Sequence, residues 1–189
     1  MARQRWAVTW VCIMLLVAGT AVLAKESKEE QQAKIRQTAQ QILTKLYEIN
    51  PAAKTSIRKA AGYAVFSNFG MKILVAGGGS GKGVAVNNKT KQEVFMKMAE
   101  IQAGLGFGVK KFNLVWVFET KNTLDQFINS GWEAGGQATA AAKKGEQGAA
   151  FQGAIPMAPG VWLYQLTDTG LALELTVKGT KYFKDGDLN

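Results

Sequence analysis

The chain has 189 residues, with 23 Lys and Arg against 14 Asp and Glu, one Cys and no His. The lack of histidine excludes His-based catalytic triads, imidazole metal ligands and the usual general base near neutral pH, and one cysteine cannot build a disulfide framework or a thiolate zinc site. The length allows one domain with a hydrophobic core, so we expect packing to stabilise it, with no cofactor and no metal.

The N-terminus has the pattern of a secretory signal peptide. Arg3 and Arg5 precede an uncharged apolar run that starts at Trp6, and Val22 with Ala24 gives the small-residue pattern that signal peptidase accepts. We therefore expect cleavage after Ala24 and export to the periplasm. The alternative is a retained anchor, since the uncharged run is just long enough to span a membrane.

A helix is predicted directly after this segment. Ser27 and Glu30 form a capping box, and apolar residues follow at alternating spacings of four and three. The apolar stripe consists of Ile35, Ala39, Ile42, Leu46 and Ile49. The polar face mixes acidic and basic side chains, which favours packing of the stripe on the domain over insertion into lipid. Asn50 and Pro51 predict the cap and first turn of a second helix, which Gly62 should end.

From Gly62 onwards the pattern changes to β-strands separated by turns. The predicted strand segments are Tyr63–Phe69, Met71–Ala76, Gly83–Val86, Val94–Met98, Leu114–Phe118, Val161–Leu166 and Leu171–Val177. The Leu114–Phe118 segment has no polar member, as expected of a strand buried on both faces, whereas the last segment should have one wet face. Asn87 and Asn88 mark a turn.

A short helix interrupts the strand series. It is predicted at Thr123–Ser130, with Asn122 as its cap and Gly131 as its stop. Residues 132–150 are predicted as strand or loop, because their glycines offset the helix propensity of their alanines. Helices first and six or more strands afterwards indicate the α+β class, with N-terminal helices followed by a strongly twisted, mainly antiparallel sheet or partial barrel.

The run AGGGSGKGVAV at residues 76–86 raises the question of a phosphate-binding loop. A Walker-type loop needs G-x-x-x-x-G-K-[ST], but Ala76 stands at the first glycine position and Gly83 at the hydroxyl position. The dinucleotide spacing G-x-G-x-x-G fails because it needs glycine at Lys82 or Val84. We interpret the glycines structurally, since alternate glycines on a strand permit sharp coiling or close approach of a neighbouring backbone or helix. The same spacing recurs at Gly104, Gly106 and Gly108.

The positive charge is concentrated in one segment. No Asp or Glu lies between Ile49 and Gln92. The basic residues of this segment are Lys54, Arg58, Lys59, Lys72, Lys82, Lys89 and Lys91. A solvated face that keeps the protein soluble is one interpretation, and attraction to anionic lipid head groups or another polyanion is the other. On the second interpretation these residues are the candidate lipid-binding set.

Four segments, in order, resemble the SYLF domain in its small secreted bacterial form. They are GYAVFSNFG, GGGSGKGVAV, QAGLGFGVKKFNLVWVF and the end VWLYQLTDTGLALELTVKGTKYFKDGDLN. The resemblance runs from about Ile57 to Leu188 and implies a lipid-binding domain. Eukaryotic members are described as binding phosphoinositides, and the related yeast actin-patch members as binding actin as well. In some members an amphipathic helix assists membrane binding, and the nearest candidate here is Ser27–Ile49. Ser80 stands where many members carry an aromatic residue.

The resemblance completes the predicted organisation and function. The predicted segments are a signal peptide at 1–24, an amphipathic helix at 25–50 and a SYLF-like domain at 51–189. We expect a non-catalytic module of the bacterial cell envelope that binds anionic membrane lipids peripherally. The alternative is a structural or partner-binding envelope protein without specific lipid recognition, which would use strand edges, the stripe of the first helix, or Trp132 and Trp162 as exposed anchors.

Catalysis and nucleic-acid binding receive little support from the sequence. Asp125, Glu133 and Asp168 lie near predicted element ends, but no spacing ties two of them together as a carboxylate pair. Asp185 and Asp187 begin like a calcium loop without the glycine and glutamate that it requires, so we expect a solvated acidic tail. The pI of about 9.7 fits nucleic acid weakly, and the predicted export argues against it.

Overall fold

The structure is a computed structural model. It describes residues 26–73, 76–103, 108–131, 133–134, 151–168, 170–172 and 180–189. Within these ranges, residues 68–73, 76–77, 100–103, 108–111 and 133–134 are described by their backbone alone. The predicted signal peptide, Gly104, Gly106, Trp132 and most of the 132–150 stretch lie outside the described residues.

The described helices are α1 (Lys28–Ile49), α2 (Pro51–Lys59) and α3 (Lys121–Ser130). The capping box of α1 is confirmed: the Glu30 backbone N–H donates to Ser27 Oγ at 3.1 Å, and the Ser27 N–H donates to Glu30 Oε2 at 3.0 Å. These bonds satisfy N–H groups that the first turn of a helix leaves free. Pro51 begins α2 as predicted, because its fixed φ suits the first helical position and it has no N–H to leave unpaired.

Two predicted helix caps differ from the structure, one in its side-chain bond and one in its position. Asn50 occupies the N-cap position of α2, but its side chain makes no capping bond and donates instead to the Gln152 carbonyl at 2.6 Å. The cap of α3 is Thr120, whose side chain accepts from the Thr123 N–H, because the helix begins two residues before Thr123 and takes Asn122 into its first turn. Gly131 ends α3 as predicted, with a φ of 67° that favours glycine.

The strands form one antiparallel sheet. They are β1 (Gly62–Ile73), β2 (Ala76–Asn87), β3 (Glu93–Ala103), β4 (Gly108–Phe118), β5 (Glu133–Ala134), β6 (Ile155–Ala158), β7 (Val161–Thr167), β8 (Gly170–Ala172) and β9 (Thr180–Lys184). Their order is β5–β9–β3–β2–β1–β4–β7–β6, with β8 paired to β7. The predicted α+β fold is confirmed: helices come first and a curled antiparallel half-barrel sheet follows.

The sheet is buried on both faces by different helices. Alternate residues of the strands point to opposite faces, so each strand feeds two clusters. One face packs against α1 and α2. α1 contacts it through the predicted stripe, of which Ile35, Ala39, Ile42 and Leu46 are buried, and α2 contacts it through Ala53 and Ile57. The other face packs α3 through Leu124 and Phe127. Two packed faces explain why every residue of Leu114–Phe118 is buried, as predicted. Ile49 departs from the predicted stripe because it lies at the end of α1 and is 43% exposed.

The glycine run is a strand, not a loop. Residues 76–87 form β2, between β1 and β3, so the backbone N–H groups serve the sheet ladder. Gly83 lies opposite Phe66, and a Cβ on Gly83 would lie 2.4 Å from Phe66 Cδ1. Gly81 lies opposite Met98 in the same way, with 2.7 Å to Met98 Cγ. The glycines therefore make room for large side chains of the neighbouring strands.

The acidic tail is not solvated throughout, which corrects the prediction for Asp185. Asp185 is 1% exposed, whereas Asp187 is 87% exposed at its side chain. The Asp185 backbone N–H donates to the Phe95 carbonyl at 2.9 Å. The Asn189 side-chain amide then pairs with both backbone groups of Phe95, at 2.9 and 2.8 Å, as a neighbouring strand would. The last residues are thus pinned to β3 beside α1.

Candidate lipid-binding surface

The turn between β2 and β3 docks on the C-terminal end of α2. Asn88 makes the contact: its side-chain amide donates to the carbonyls of Ile57 and Ala60 at 2.7 and 2.9 Å. Its backbone N–H donates to the Ala61 carbonyl at 2.9 Å. These three bonds satisfy carbonyls at the end of α2 and just after it, so the turn and the helix end form one corner of the fold.

This corner gathers most of the predicted lipid-binding residues. Arg58 and Lys59 lie in the last turn of α2, and Lys89 and Lys91 lie in the docked turn; we call these four residues the basic end. All four are exposed, and none forms an ion pair with a carboxylate within the described residues. Lys54 is exposed on α2, one helical turn before Arg58.

The other two predicted residues lie elsewhere on the sheet. Lys82 is on the face that α1 covers, and its Nζ donates to Gln31 Oε1 of α1 at 2.9 Å. It stands directly opposite Lys97 in the register of β2 and β3. The backbone of Lys72 lies further along β1, opposite Gly77 and Gly108. The basic residues follow one another along the sequence without an acidic residue between them, but in the fold they lie at different ends of the sheet.

Lys97 has its own charge partners, which the sequence analysis missed. Its Nζ lies 2.8 Å from Asp185 Oδ1 and 3.0 Å from Asp187 Oδ2. Hydrogen bonds to Asp185 and then to Asp187 raise the pKa of the Lys97 ammonium above its ordinary value of 10.5. These carboxylates offset the repulsion that two opposed lysines would otherwise create between β2 and β3. No local sequence pattern predicts this contact, because Lys97 and Asp187 are 90 residues apart in the sequence.

A polar groove opens beside the basic end. It has a volume of about 560 Å³ and runs between α1, the start of β3, the end of β9 and the last two residues. Arg36 of α1 lies in it, with its Nε 2.7 Å from Glu93 Oε2 and its guanidinium 5.0 Å from the centre of the Phe95 ring. Lys91 and Lys184 line the same groove, so Lys91 belongs to both the groove and the basic end.

The residues considered for catalysis or as exposed anchors are placed as follows. Asp125 is ion-paired with Lys121 one turn away on α3, and Asp168 is exposed after β7. Glu133 opens β5, opposite Lys181 of β9. Trp162 is not an exposed anchor, which corrects that expectation, because the residue is 9% exposed. Its ring stacks on Phe151 with 4.7 Å between the ring centres, and its Nε1 donates to Glu119 at 2.8 Å.

The described residues contain neither a candidate metal site nor a helix that could span a membrane. No cluster of three or more Asp, Glu, Cys or His side chains in the described ranges has the arrangement of a metal site. Among the helices that the structure describes, none combines the length and the apolar character needed to cross a membrane.

Comparison with known proteins identifies the family. Residues 99–189 match the Ysc84 family model, described as "Las17-binding protein actin regulator". Over these residues, just under half of the chain, the sequence matches a Ysc84 (SYLF) domain. This confirms the resemblance drawn from the four sequence segments. The SYLF domain is a non-catalytic, lipid-binding type of domain.

A bacterial relative extends the similarity beyond the family match. The chain is 34% identical over 169 residues to Beta cell expansion factor A of Aeromonas veronii. The aligned region covers 88% of this chain but 62% of the relative. The chain therefore spans less than two thirds of the relative's length.

Proposed function

We propose that this SYLF protein is a peripheral module of the bacterial cell envelope that binds anionic phospholipid through its basic end. The observation that carries the proposal is the corner formed by α2 and the β2–β3 turn, where Arg58, Lys59, Lys89 and Lys91 are exposed without carboxylate partners in the described chain. The domain type supports lipid as the ligand, and the positive charge of the corner supports an anionic head group.

The expected affinity follows from the number of charges. Each basic residue near an anionic membrane surface contributes about 1 kcal/mol, so four residues give about 4 kcal/mol, a dissociation constant of roughly a millimolar. Such attachment is weak, reversible and sensitive to salt, because exposed charges are screened over a Debye length of about 8 Å at physiological ionic strength.

Flotation with liposomes tests the proposal. The protein is recovered from the cell fraction in which it accumulates and is mixed with vesicles of zwitterionic lipid alone or with anionic lipid added, at low and high salt. We expect flotation with the anionic mixture only, and less of it at high salt. Lys59→Glu with Lys89→Glu should reduce flotation at least tenfold, since it replaces two attractive charges by two repulsive ones.

A matched variant separates local charge from net charge. Lys34→Glu with Lys181→Glu makes the same change in net charge at exposed positions on α1 and β9. We expect flotation within about twofold of the original protein. Equal losses in the two double variants would show that net charge, and not the basic end, drives binding.

The envelope location rests on the predicted export. Intact mass of the recovered protein tests it directly, since cleavage after Ala24 makes Lys25 the first residue. Recovery in the cytoplasmic fraction with residues 1–24 intact would contradict the proposed location.

A protein partner is the second candidate. It is favoured by the family description, which names binding to Las17 and regulation of actin. Liposome flotation also distinguishes the two candidate functions. The structural or partner-binding function would be favoured if the protein does not float under any condition and forms a complex of fixed stoichiometry with one envelope protein.

A further inference from the structure

We propose that the crevice between α1 and the strands β1 and β2 binds a short-chain monocarboxylic acid. The crevice has a volume of about 230 Å³ and lies on the face of the sheet that α1 covers. None of the four residues of the basic end lines it. Its ligand is a free, soluble acid and not a membrane phospholipid, so the inference goes beyond the proposed function.

The floor of the crevice is apolar and small. Ile35, Ala39 and Ile42 line it from α1, and Val65 lines it from β1. Each of these residues is at most 8% exposed, so a hydrocarbon tail that enters the crevice exchanges water for contact with packed side chains. At about 30 Å³ for each water-sized group, the crevice holds roughly eight such groups, the size of a six-carbon acid. A phospholipid with two long acyl chains is too large for it.

Hydroxyl groups and an ammonium stand at the rim. Thr38 of α1 and Ser67 of β1 line the crevice, and neither hydroxyl makes a hydrogen bond within the described part of the chain. Lys82 of β2 lines it as well, and its Nζ donates to Gln31 Oε1 at 2.9 Å. An ammonium has three donors, so Lys82 retains donors for a ligand. A carboxylate accepts from ammonium and hydroxyl groups together, which fits this rim.

The charge balance favours an acid with a single charge. Lys34, the other lysine that lines the crevice, is ion-paired with Glu26. Lys97 stands opposite Lys82 in the sheet and is paired with carboxylates of the C-terminal segment. Lys82 itself forms no ion pair with any residue that the structure describes. One carboxylate therefore finds one ammonium, whereas a doubly charged anion would leave its second charge without a partner.

Hexanoate and hexan-1-ol test the site directly, because they share a tail and only the acid is charged. Each is titrated into the ¹⁵N-labelled protein, with the amide shifts of Thr38, Ser67 and Gly83 as the readout. We expect saturable shifts with hexanoate, with a dissociation constant of roughly a millimolar, and at least tenfold weaker binding of hexan-1-ol. Hexanoate at about ten times its dissociation constant should raise the Tm by about 3–6 °C.

Two lysine variants provide a matched test of the rim. Lys82→Met removes the ammonium and keeps a long side chain, so it should weaken hexanoate about tenfold and leave hexan-1-ol within about twofold. Lys181→Met makes the same change at another exposed strand position, which does not line the crevice, and should leave both ligands within about twofold. Both lysines are exposed, so we expect both variants to fold, and the Tm without ligand checks this.

Chain length tests the closed end of the crevice. We expect affinity to rise from butanoate to hexanoate and then to change by less than about threefold up to decanoate, because the added carbons lie outside. Each CH₂ group that is fully buried would instead strengthen binding about fourfold. A continued rise of that size would mean that the acids adsorb to an open apolar surface, which would overturn the assignment to the crevice.

Other results contradict the inference in distinguishable ways. Absence of saturable shifts, or equal losses of hexanoate binding in Lys82→Met and Lys181→Met, would exclude the site. N-acetyl-leucine carries the same carboxylate as a peptide end, and tighter binding of it than of hexanoate would assign the crevice to a peptide C-terminus. Flotation on anionic vesicles should not change with hexanoate at constant ionic strength. Reduced flotation would place the crevice in the membrane contact and overturn a separate site, whereas hexanoate binding without any flotation would count against the proposed function alone.

Discussion

At the scale of single residues, the sequence pattern did not reveal the unpaired hydroxyl of Tyr164 or the close packing at Gly83. Tyr164 is fully buried among apolar residues on the face that α1 and α2 cover, and its hydroxyl has no hydrogen-bond partner in the described chain. Burial raises the pKa of this tyrosine from 10.0 to about 12. An unpaired buried hydroxyl stabilises nothing, so the position tolerates a phenyl ring.

Tyr164→Phe should leave the free energy of unfolding at pH 7 unchanged within about 1 kcal/mol, because it removes an unpaired group. Between pH 10 and 12 the unfolded tyrosine is ionised and the folded one is not, so the original protein should lose about 1.4 kcal/mol of stability per pH unit from this residue. Urea unfolding at several pH values measures both effects. Burial also raises the pKa of the half-buried Tyr47, so Tyr47→Phe should reduce the slope less than Tyr164→Phe does. A slope in Tyr164→Phe equal to that of the original protein would contradict the assignment.

Gly83→Ala should destabilise the sheet by about 1–3 kcal/mol or more, because the added Cβ would lie 2.3 Å from the Val65 carbonyl oxygen and 2.4 Å from Phe66 Cδ1. Phe66 cannot move aside easily, since its ring packs edge-on against Tyr182 at 5.0 Å. Chemical denaturation compares this variant with Gly186→Ala, where nothing lies within 4 Å of the added methyl group. Equal midpoints for the two variants would mean that Gly83 is not required for the close packing.

At the scale of elements, the end of the chain is a structural element that the sequence analysis misjudged. The Asp185–Asn189 segment contacts β3 through backbone and amide bonds, and it contacts α1 through Gln32, which donates to the Leu188 carbonyl at 2.8 Å. The Leu188 side chain is buried in the α1 cluster. This segment therefore closes the side of the groove and joins the first helix to the sheet edge.

Asp185→Asn should cost about 2–3 kcal/mol of stability, because it removes a buried carboxylate from a Lys97 ammonium that stays partly buried. Asp187→Asn makes the same charge change at a carboxylate that is 87% exposed, and should cost less than about 1 kcal/mol. The raised pKa of Lys97 gives the pH dependence: the contribution is fully present below pH 10.5 and is lost as the pH rises through the folded-state pKa. Thermal unfolding of the original protein and both variants from pH 7 to pH 11 measures the stability and its pH dependence. A larger loss of stability in Asp187→Asn than in Asp185→Asn would refute the expected order.

At the scale of the whole molecule, the sheet is covered on both faces, and this decides how the protein can meet a membrane. The apolar stripe of α1 is part of the core, with Leu46 fully buried and Ile35 and Ile42 nearly so. Insertion of α1 into lipid would expose this face of the sheet to water. The basic end needs no such opening, because its side chains already lie on the surface.

Hydrogen exchange on vesicles distinguishes these two modes of attachment. We expect the amides of α1 to keep their protection when the protein binds anionic vesicles, because the buried stripe stays packed. Amides of the β2–β3 turn, residues 88–91, should gain protection at the contact. Loss of protection along α1 on vesicles, and not in solution, would show that the helix leaves the sheet to insert.

The local features of this protein were determined by the sequence itself. The Ser27 cap, the stripe from Ile35 to Leu46, the start of α2 at Pro51 and the buried Leu114–Phe118 strand depend on spacing and propensity within a few residues, so their patterns predicted them. The order of four segments likewise predicted the SYLF family. The cap of α2 shows the limit of local patterns. Asn50 stands at the predicted N-cap position, but its side chain bonds to Gln152, which is remote in sequence.

Only the tertiary structure decided which distant residues meet. Asn189 pairs with Phe95 across 94 residues, and no local pattern encodes that partner. The acid-free segment was evident from the sequence, but the fold collected Arg58, Lys59, Lys89 and Lys91 at one corner. It placed the exposed Lys82 beside α1, where its ammonium donates to Gln31. Arg36, Lys91 and Lys184 likewise line one groove although they come from three elements. The physical reason is that strand register and helix docking are set by the packing of the whole sheet, so long-range charge and contact are properties of the folded chain.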